Sequence, residues 1–105
     1  MKRALQAILI AGEEMRDDTI NGIKNITIRE GHRDYTPGKV LLGCHILNWA
    51  VMREIISVRH TTIREVKKEE YFLDDFRSRE DMLDGLRKYY PDLTMDSPVT
   101  VIQWK

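Results

Sequence analysis

Segment 49–62 constrains the fold most, because it contains neither glycine nor proline and is rich in β-branched residues. Such residues favour extended backbone, so the segment predicts one long strand or a bent pair of strands. The β-branched positions are Val51, Ile55, Ile56, Val58, Thr61 and Thr62. With short turns between neighbouring apolar segments, a strand of this kind predicts a β-barrel or a strongly curled sheet.

The rest of the chain alternates apolar and amphipathic stretches. Strands are predicted over 4–11, 26–29, 39–47 and 99–104, although the composition of 4–11 is also compatible with a helix. Short helices are predicted over 13–21, over 64–73 as a solvated helix of alternating charge, and from 78 to about 90. The last strand is expected to pair with an earlier one and so complete the barrel. The pattern predicts the α+β class.

Length and charge restrict the function classes. A chain of 105 residues with 42% hydrophobic and 32% charged residues is typical of one soluble domain. Seventeen basic residues balance seventeen acidic ones, so a general electrostatic affinity for nucleic acid is not indicated. The single cysteine, Cys44, excludes an internal disulfide and lies among apolar residues, which indicates a buried thiol. The apolar run 7–11 is too short to span a bilayer, and a cytoplasmic location is expected.

Segment 22–29 brings several chemically active residues together. Its two isoleucines alternate with polar residues, so Thr27 and Arg29 are expected to share one face of a strand. Lys24 lies three positions before Thr27 and would point the opposite way on a regular strand. It can meet Thr27 only if a turn or bulge around Gly22 redirects it. The alternative is a solvated edge strand that is entered through a turn.

The spacing of these residues resembles a known family. The pattern is Gly22-x-Lys24-x-x-Thr27-Ile28-Arg29, followed by Tyr35-x-Pro37-Gly38-Lys39-Val40. Together with a later acidic-x-Phe-x-Ser element and an apolar final strand, it resembles the ASCH domain family, over about residues 20–104. The likeness is greatest to its small members, which deacetylate N4-acetylcytidine. The resemblance implies a PUA-like curled β-barrel of five to six strands with two to three short helices, as a single domain over 1–105.

The resemblance also implies a catalytic triad. The acetylcytidine-deacetylating members use a lysine, a threonine and a carboxylate, which fall here on Lys24, Thr27 and either Asp74 or Asp75. The acidic-x-Phe-x-Ser pattern favours Asp74, while counting back from the Tyr-Pro pair at 90–91 favours Asp75. Those relatives have glutamate at this position, so aspartate is a departure that bears on catalysis, since a small misplacement lowers the rate strongly.

Such a triad has a clear chemical logic. Threonine attacks an amide carbonyl only when an adjacent base takes its proton. Lysine can be that base when burial or a neighbouring cation favours its neutral form, and Arg29 is the candidate neighbour. The carboxylate then orients the lysine or carries a proton to the leaving amine. No metal or other cofactor is expected, because His32, His45 and His60 lack metal-ligand spacing.

A non-catalytic RNA-binding module is the main alternative, with a modified nucleoside or RNA as the expected partner. Its phosphate-contacting residues would be Lys24, Arg29, Arg33 and Lys39, and Tyr35 or Trp49 would stack on an exposed base. In the hydrolase, Arg29, Asp75 and Tyr35 are the candidate substrate-binding residues. A ribonuclease and a protein-interaction module are further alternatives. A monomer or weak dimer is expected.

Overall fold

Five strands and three short helices form the fold in a computed structural model, which describes residues 6–10, 13–44 and 48–105. The strands are β1 (Gln6–Leu9), β2 (Ile26–Glu30), β3 (Gly38–Cys44), β4 (Trp49–Thr62) and β5 (Pro98–Trp104). The helices are α1 (Glu13–Ile20), α2 (Lys68–Leu73) and α3 (Arg79–Leu86), with a 3-10 turn at Ile63–Glu65. The predicted α+β class, with its numbers of strands and helices, is confirmed.

The long strand β4 holds the sheet together. The strand order is β1-β3-β4-β5-β2, with β1 parallel to β3 and the other neighbours antiparallel. The first half of β4 pairs with β3 and its second half pairs with β5, and the register shifts between Ile55 and Ser57. An irregularity of this kind bends a strand and increases its twist. The sequence left open one long strand or a bent pair, and β4 is a single strand with a bend.

The sheet curls into a half-barrel. The final strand was expected to complete the barrel, but β5 lies between β4 and β2, and no ladder joins β1 to β2 in the residues described. A side chain connects these two edges instead, because Arg29 Nη2 of β2 donates a hydrogen bond to Leu9 O of β1 at 2.6 Å. The expected pairing of the last strand with earlier strands is confirmed, and in the described residues the sheet curls into a half-barrel with β1 and β2 at its edges.

Two apolar cores lie on opposite faces of β5. Val99 and Val101 pack with α2 and α3, whereas Ile102 and Trp104 pack inside the curl with β1, β3 and β4. This division follows from the period of two along a strand. The predicted burial of Cys44 is confirmed, as it is 8% exposed.

The predicted solvated helix over 64–73 is only partly correct. The segment forms the 3-10 turn and then α2, in which Glu70 and Tyr71 are buried. Arg59 of β4 donates from Nε and Nη2 to the two carboxylate oxygens of Glu70, and the Lys67 amide donates to the same carboxylate. Burial alone would raise the pKa of Glu70, but these hydrogen bonds hold it below its ordinary value.

The helix ends follow their local signals closely. Gly22 adopts a φ of 78° just after α1, as a glycine that ends a helix does. The Ser78 hydroxyl accepts a hydrogen bond from the Asp81 amide at 3.1 Å and caps α3. This helix ends at Leu86, earlier than predicted, and a turn follows over residues 87–89. Parts of the predicted strands, 4–5, 11 and 45–47, lie outside the described residues.

No helix in the described ranges is long and apolar enough to cross a membrane.

The burial of the Arg59–Glu70 pair predicts that breaking it costs much more stability than breaking an exposed ion pair of this chain. Replacing Arg59 with methionine leaves a buried carboxylate unpaired and should lower the free energy of unfolding by about 2 to 3 kcal/mol, since breaking buried pairs is costly. Arg64→Met breaks the exposed pair with Asp96 and should change the free energy of unfolding by less than about 1 kcal/mol. Urea denaturation at neutral pH measures both.

The lowered pKa of Glu70 predicts that the stability of the fold depends on pH. Its stabilising contribution is present above the pKa of the unfolded state and is lost as the pH falls through the folded pKa. Glu70→Gln should therefore flatten the acidic side of the stability curve. For the two ion pairs, an equal loss of stability in Arg59→Met and Arg64→Met would contradict the difference expected between a buried and an exposed pair.

Candidate functional site

One cavity of about 400 Å³ lies beside the free edge of β2. Three successive residues of β2, from Thr27 to Arg29, line it. Side chains on both faces of a strand reach one cavity only from the strand's edge. Other walls come from α1, from the turn after it, from the end of α2 and from the end of α3. They include Ile10, Met15, Asp18, Ile23, Lys24, Leu73, Asp74, Asp75, Phe76, Gly85, Leu86, Lys88, Tyr89 and Tyr90.

The turn after α1 directs Lys24 into this cavity. The Asp18 carbonyl accepts hydrogen bonds from the Ile23 and Lys24 amides at 2.8 and 2.9 Å, and Gly22 provides the positive φ that the turn needs. Lys24 Nζ then donates to Ile26 O and to Asp74 Oδ1, both at 2.7 Å. The side chain is thus redirected as the sequence required, and it lines the same cavity as Thr27.

A helix C-cap positions the carboxylate. Asp74 is the C-cap of α2, and Asp75 follows with a φ of 64°. The Asp75 amide donates to Phe72 O and the Phe76 amide to Tyr71 O, which is the Schellman arrangement of a helix end. Asp74 is therefore turned inward to Lys24, whereas Asp75 is exposed on the cavity wall. The structure brings Asp74, rather than Asp75, to the lysine.

The Lys24–Asp74 pair is largely desolvated. The two side chains are only 12% and 11% exposed. Burial raises the pKa of Asp74 above its ordinary value, and the nearby charge of Asp75 adds to this effect. Lys24 and Arg29 act in the opposite direction, but they do not cancel the effect of burial. The carboxylate of Asp74 is therefore protonated more easily than that of an exposed aspartate.

Thr27 and Arg29 share the inner face of β2, as their spacing predicted. Thr27 lies opposite Ile102 and Arg29 opposite Thr100 in the ladder with β5, and Thr27 is buried. The guanidinium of Arg29 is held by Leu9 O, and its buried Nε has no hydrogen-bond partner among the described residues. A hydroxyl and a fixed cation thus line the same cavity as the Lys24–Asp74 pair.

The other candidate residues lie away from the cavity. The Tyr35 hydroxyl donates to Ala7 O at 3.2 Å, Arg33 Nε donates to Glu30 O at 2.9 Å, and Lys39 is exposed on β3. None of these three lines the cavity. Of the predicted phosphate-contacting set, the structure therefore brings together Lys24 and Arg29 only.

The histidines take structural positions where they are described. His32 and His60 stack with ring centroids 4.8 Å apart, and each Nε2 bonds a backbone carbonyl. No group of three or more His, Cys, Asp or Glu side chains suited to a metal ion occurs in the ranges that the structure describes. His45 lies outside those ranges.

The turn after α3 supplies cavity residues that sequence reasoning missed. Lys88, Tyr89 and Tyr90 line the cavity, and so does Phe76. The tyrosines lie at the end of the segment predicted as a helix from 78 to about 90. The only local signal was the cluster of a cation and two aromatic residues before Pro91, which does not reveal the long-range contact with β2.

Comparisons of the chain with family models, with curated proteins and with solved structures found no match. The chemistry of the site therefore follows from its own geometry. A hydroxyl, an amine, a carboxylate and a guanidinium line one cavity, and the amine and the carboxylate are largely removed from solvent. These groups can transfer protons and stabilise a developing negative charge on a small bound molecule.

Asp75 predicts a measurable effect on its neighbour. Asp75→Asn removes a negative charge that raises the pKa of Asp74, so the pKa of Asp74 should fall. Asparagine also tolerates positive φ, so the helix cap should remain. Carboxyl ¹³C NMR titration measures the shift, and Asp92→Asn, at an exposed position that does not line the cavity, is the control. An unchanged or raised pKa of Asp74 would contradict the electrostatic account.

Lys24→Met predicts a loss of stability that depends on pH. The variant buries an unpaired carboxylate and should unfold more easily by about 3 kcal/mol or more where Asp74 is ionised. Because losing Lys24 raises the pKa of Asp74 further, the stability should fall as the pH rises through that pKa and recover as the pH falls. Denaturation curves across the pH range test this. Lys88→Met, at an exposed cavity lysine, should show neither effect.

Proposed function

We propose that this protein is a small ASCH-type amidohydrolase that removes an acyl group from the exocyclic amine of N4-acetylcytidine or a related modified nucleoside. The observation that carries the proposal is the buried Lys24–Asp74 pair, 2.7 Å apart, in a cavity that also contains Thr27 and Arg29. The sequence pattern that resembles the acetylcytidine-deacetylating proteins contains these four residues. The cavity volume also lies in the range of small-molecule sites.

The first step prepares the base. A proton moves from Lys24 Nζ to the Asp74 carboxylate along their hydrogen bond, which leaves a neutral amine beside a neutral carboxylic acid. Desolvation favours this uncharged form, because burying separate charges is costly. The raised pKa of Asp74 supports the same direction. The pair thereby provides a base and an acid in adjacent positions.

The second step breaks the amide. Thr27 Oγ1 attacks the acyl carbon while its proton passes to Lys24, and the resulting oxyanion is stabilised by the Arg29 guanidinium. The C–N bond then breaks, and Asp74 or Lys24 returns a proton to the exocyclic nitrogen, which leaves as the free amine. Where Asp74 is the donor, the proton on Lys24 then passes to Asp74 and restores the neutral pair. The neutral Lys24 takes a proton from water, the resulting hydroxide attacks the acyl-threonine ester, and Lys24 returns the proton to Thr27 Oγ1 as the carboxylic acid is released.

The RNA-binding alternative has less support from the geometry. Phosphate contacts along a strand of RNA need several cations on one surface. Arg33 bonds a backbone carbonyl and Lys39 lies on β3, and neither joins the cations that line the cavity. A binding module should still show an affinity for oligonucleotides that falls as salt rises, since bound phosphates release counterions.

Hydrolysis of N4-acetylcytidine by the purified protein, followed by ultraviolet absorbance, tests the proposal. Thr27→Val removes the hydroxyl and keeps the shape, and it should lower kcat by at least about a hundredfold with little change in stability. Lys24→Met should abolish turnover under conditions where circular dichroism confirms its fold. Thr19→Val, at a buried threonine of α1 that does not line the cavity, is the matched control and should retain activity.

Two results would count against the hydrolase. Turnover in Thr27→Val equal to that of the wild type would remove the threonine from the mechanism. A folded wild type without turnover, which binds oligonucleotides in a salt-dependent way, would favour the RNA-binding module.

A further inference from the structure

Large apolar side chains are exposed around the mouth of the cavity. Ile23, Leu73 and Tyr89 are 69%, 49% and 56% exposed, and all three line the cavity. They come from three separate segments, which are the turn after α1, the end of α2 and the turn after α3. Exposed apolar groups that converge on one cavity are typical of a ligand-binding surface rather than of scattered surface residues.

Adjacent tyrosines at this mouth have different surroundings. Tyr90 is partly buried and packs against the core that β5 forms with α2 and α3, while Tyr89 remains exposed. Both amides donate to Leu86 O, and Arg87 Nε donates to Leu93 O at 2.9 Å, so hydrogen bonds fix the turn that carries them. The position of Tyr89 is thus set by its backbone, and its ring is left available.

The charges that line the cavity cancel. The described side chains that line the cavity include three cations and three carboxylates. The cations are Lys24, Arg29 and Lys88, and the carboxylates are Asp18, Asp74 and Asp75. A site for a phosphate group would show an excess of cations. Charge balance and apolar walls instead favour an uncharged, planar ligand of small-molecule size.

We infer that Tyr89 stacks on the base of the substrate at the cavity mouth, where Ile23 and Leu73 contact the remaining apolar surface of the ring. The exocyclic amide then extends inward to Lys24 and Asp74. The identity of the ligand as an acylated nucleoside rests on the proposed function, whereas the recognition of an uncharged heteroaromatic ring by Tyr89 is tested separately. Tyr89 is a specificity-determining residue in this account, because aromatic rings stack on bases through their faces.

Two measurements on the same variants test the inference. The first is the Kd of cytidine, which has the base but no acyl group, measured by isothermal titration calorimetry. The second is KM and kcat for N4-acetylcytidine. Tyr89→Ala should raise the Kd and KM by about tenfold or more, while kcat changes much less. Tyr89→Phe keeps the ring and should remain within about twofold of the wild type.

Ile56→Ala is the matched control, because Ile56 is exposed to a similar extent but does not line the cavity. An unchanged cytidine Kd in Tyr89→Ala, or an equal loss in Ile56→Ala, would overturn the stacking role while leaving the hydrolase intact. A wild type that binds cytidine through Tyr89 but hydrolyses nothing supports the stacking role and contradicts the proposed function. A wild type that binds no cytidine overturns the inference.

Discussion

The buried pair of Lys24 and Asp74 is the interaction on which the site depends. Fifty residues separate the two along the chain, and each side chain is nearly removed from solvent. Neither charge is tolerable there without the other, because an isolated buried charge is costly. Two features of the backbone bring them together: the turn at Gly22 and the helix C-cap that directs Asp74 inward. The pair therefore couples the start of β2 to the end of α2.

The incomplete curl of the sheet explains where the cavity lies. Since β2 is an edge strand, Thr27 and its neighbours are reachable from the side, and the helices cover only part of that edge. A closed barrel would satisfy this edge with backbone hydrogen bonds. Here Arg29 contacts Leu9 O across the gap, and its charge also acts to lower the pKa of Asp74, so one guanidinium serves both the sheet and the site.

Local signals in the sequence predicted the elements better than the contacts between them. β-branched residues indicated β4, alternation placed Thr27 and Arg29 on one face, and Ser78 marked the start of α3. The choice between Asp74 and Asp75 was beyond local reasoning, because it depends on the helix end at which Asp75 takes positive φ. Glu70 looked solvated for a similar reason, since its partner Arg59 comes from a distant strand. The contribution of Tyr89 to the cavity likewise depends on where α3 ends.

The most direct test of the account is mass spectrometry of the protein quenched during its first turnovers with N4-acetylcytidine. Attack by Thr27 predicts one acetyl group on the peptide that contains Thr27, and none in the Thr27→Val variant. Acetylation of Lys24 instead, or undiminished turnover in Thr27→Val, would contradict the assignment of nucleophile and base on which the account is built.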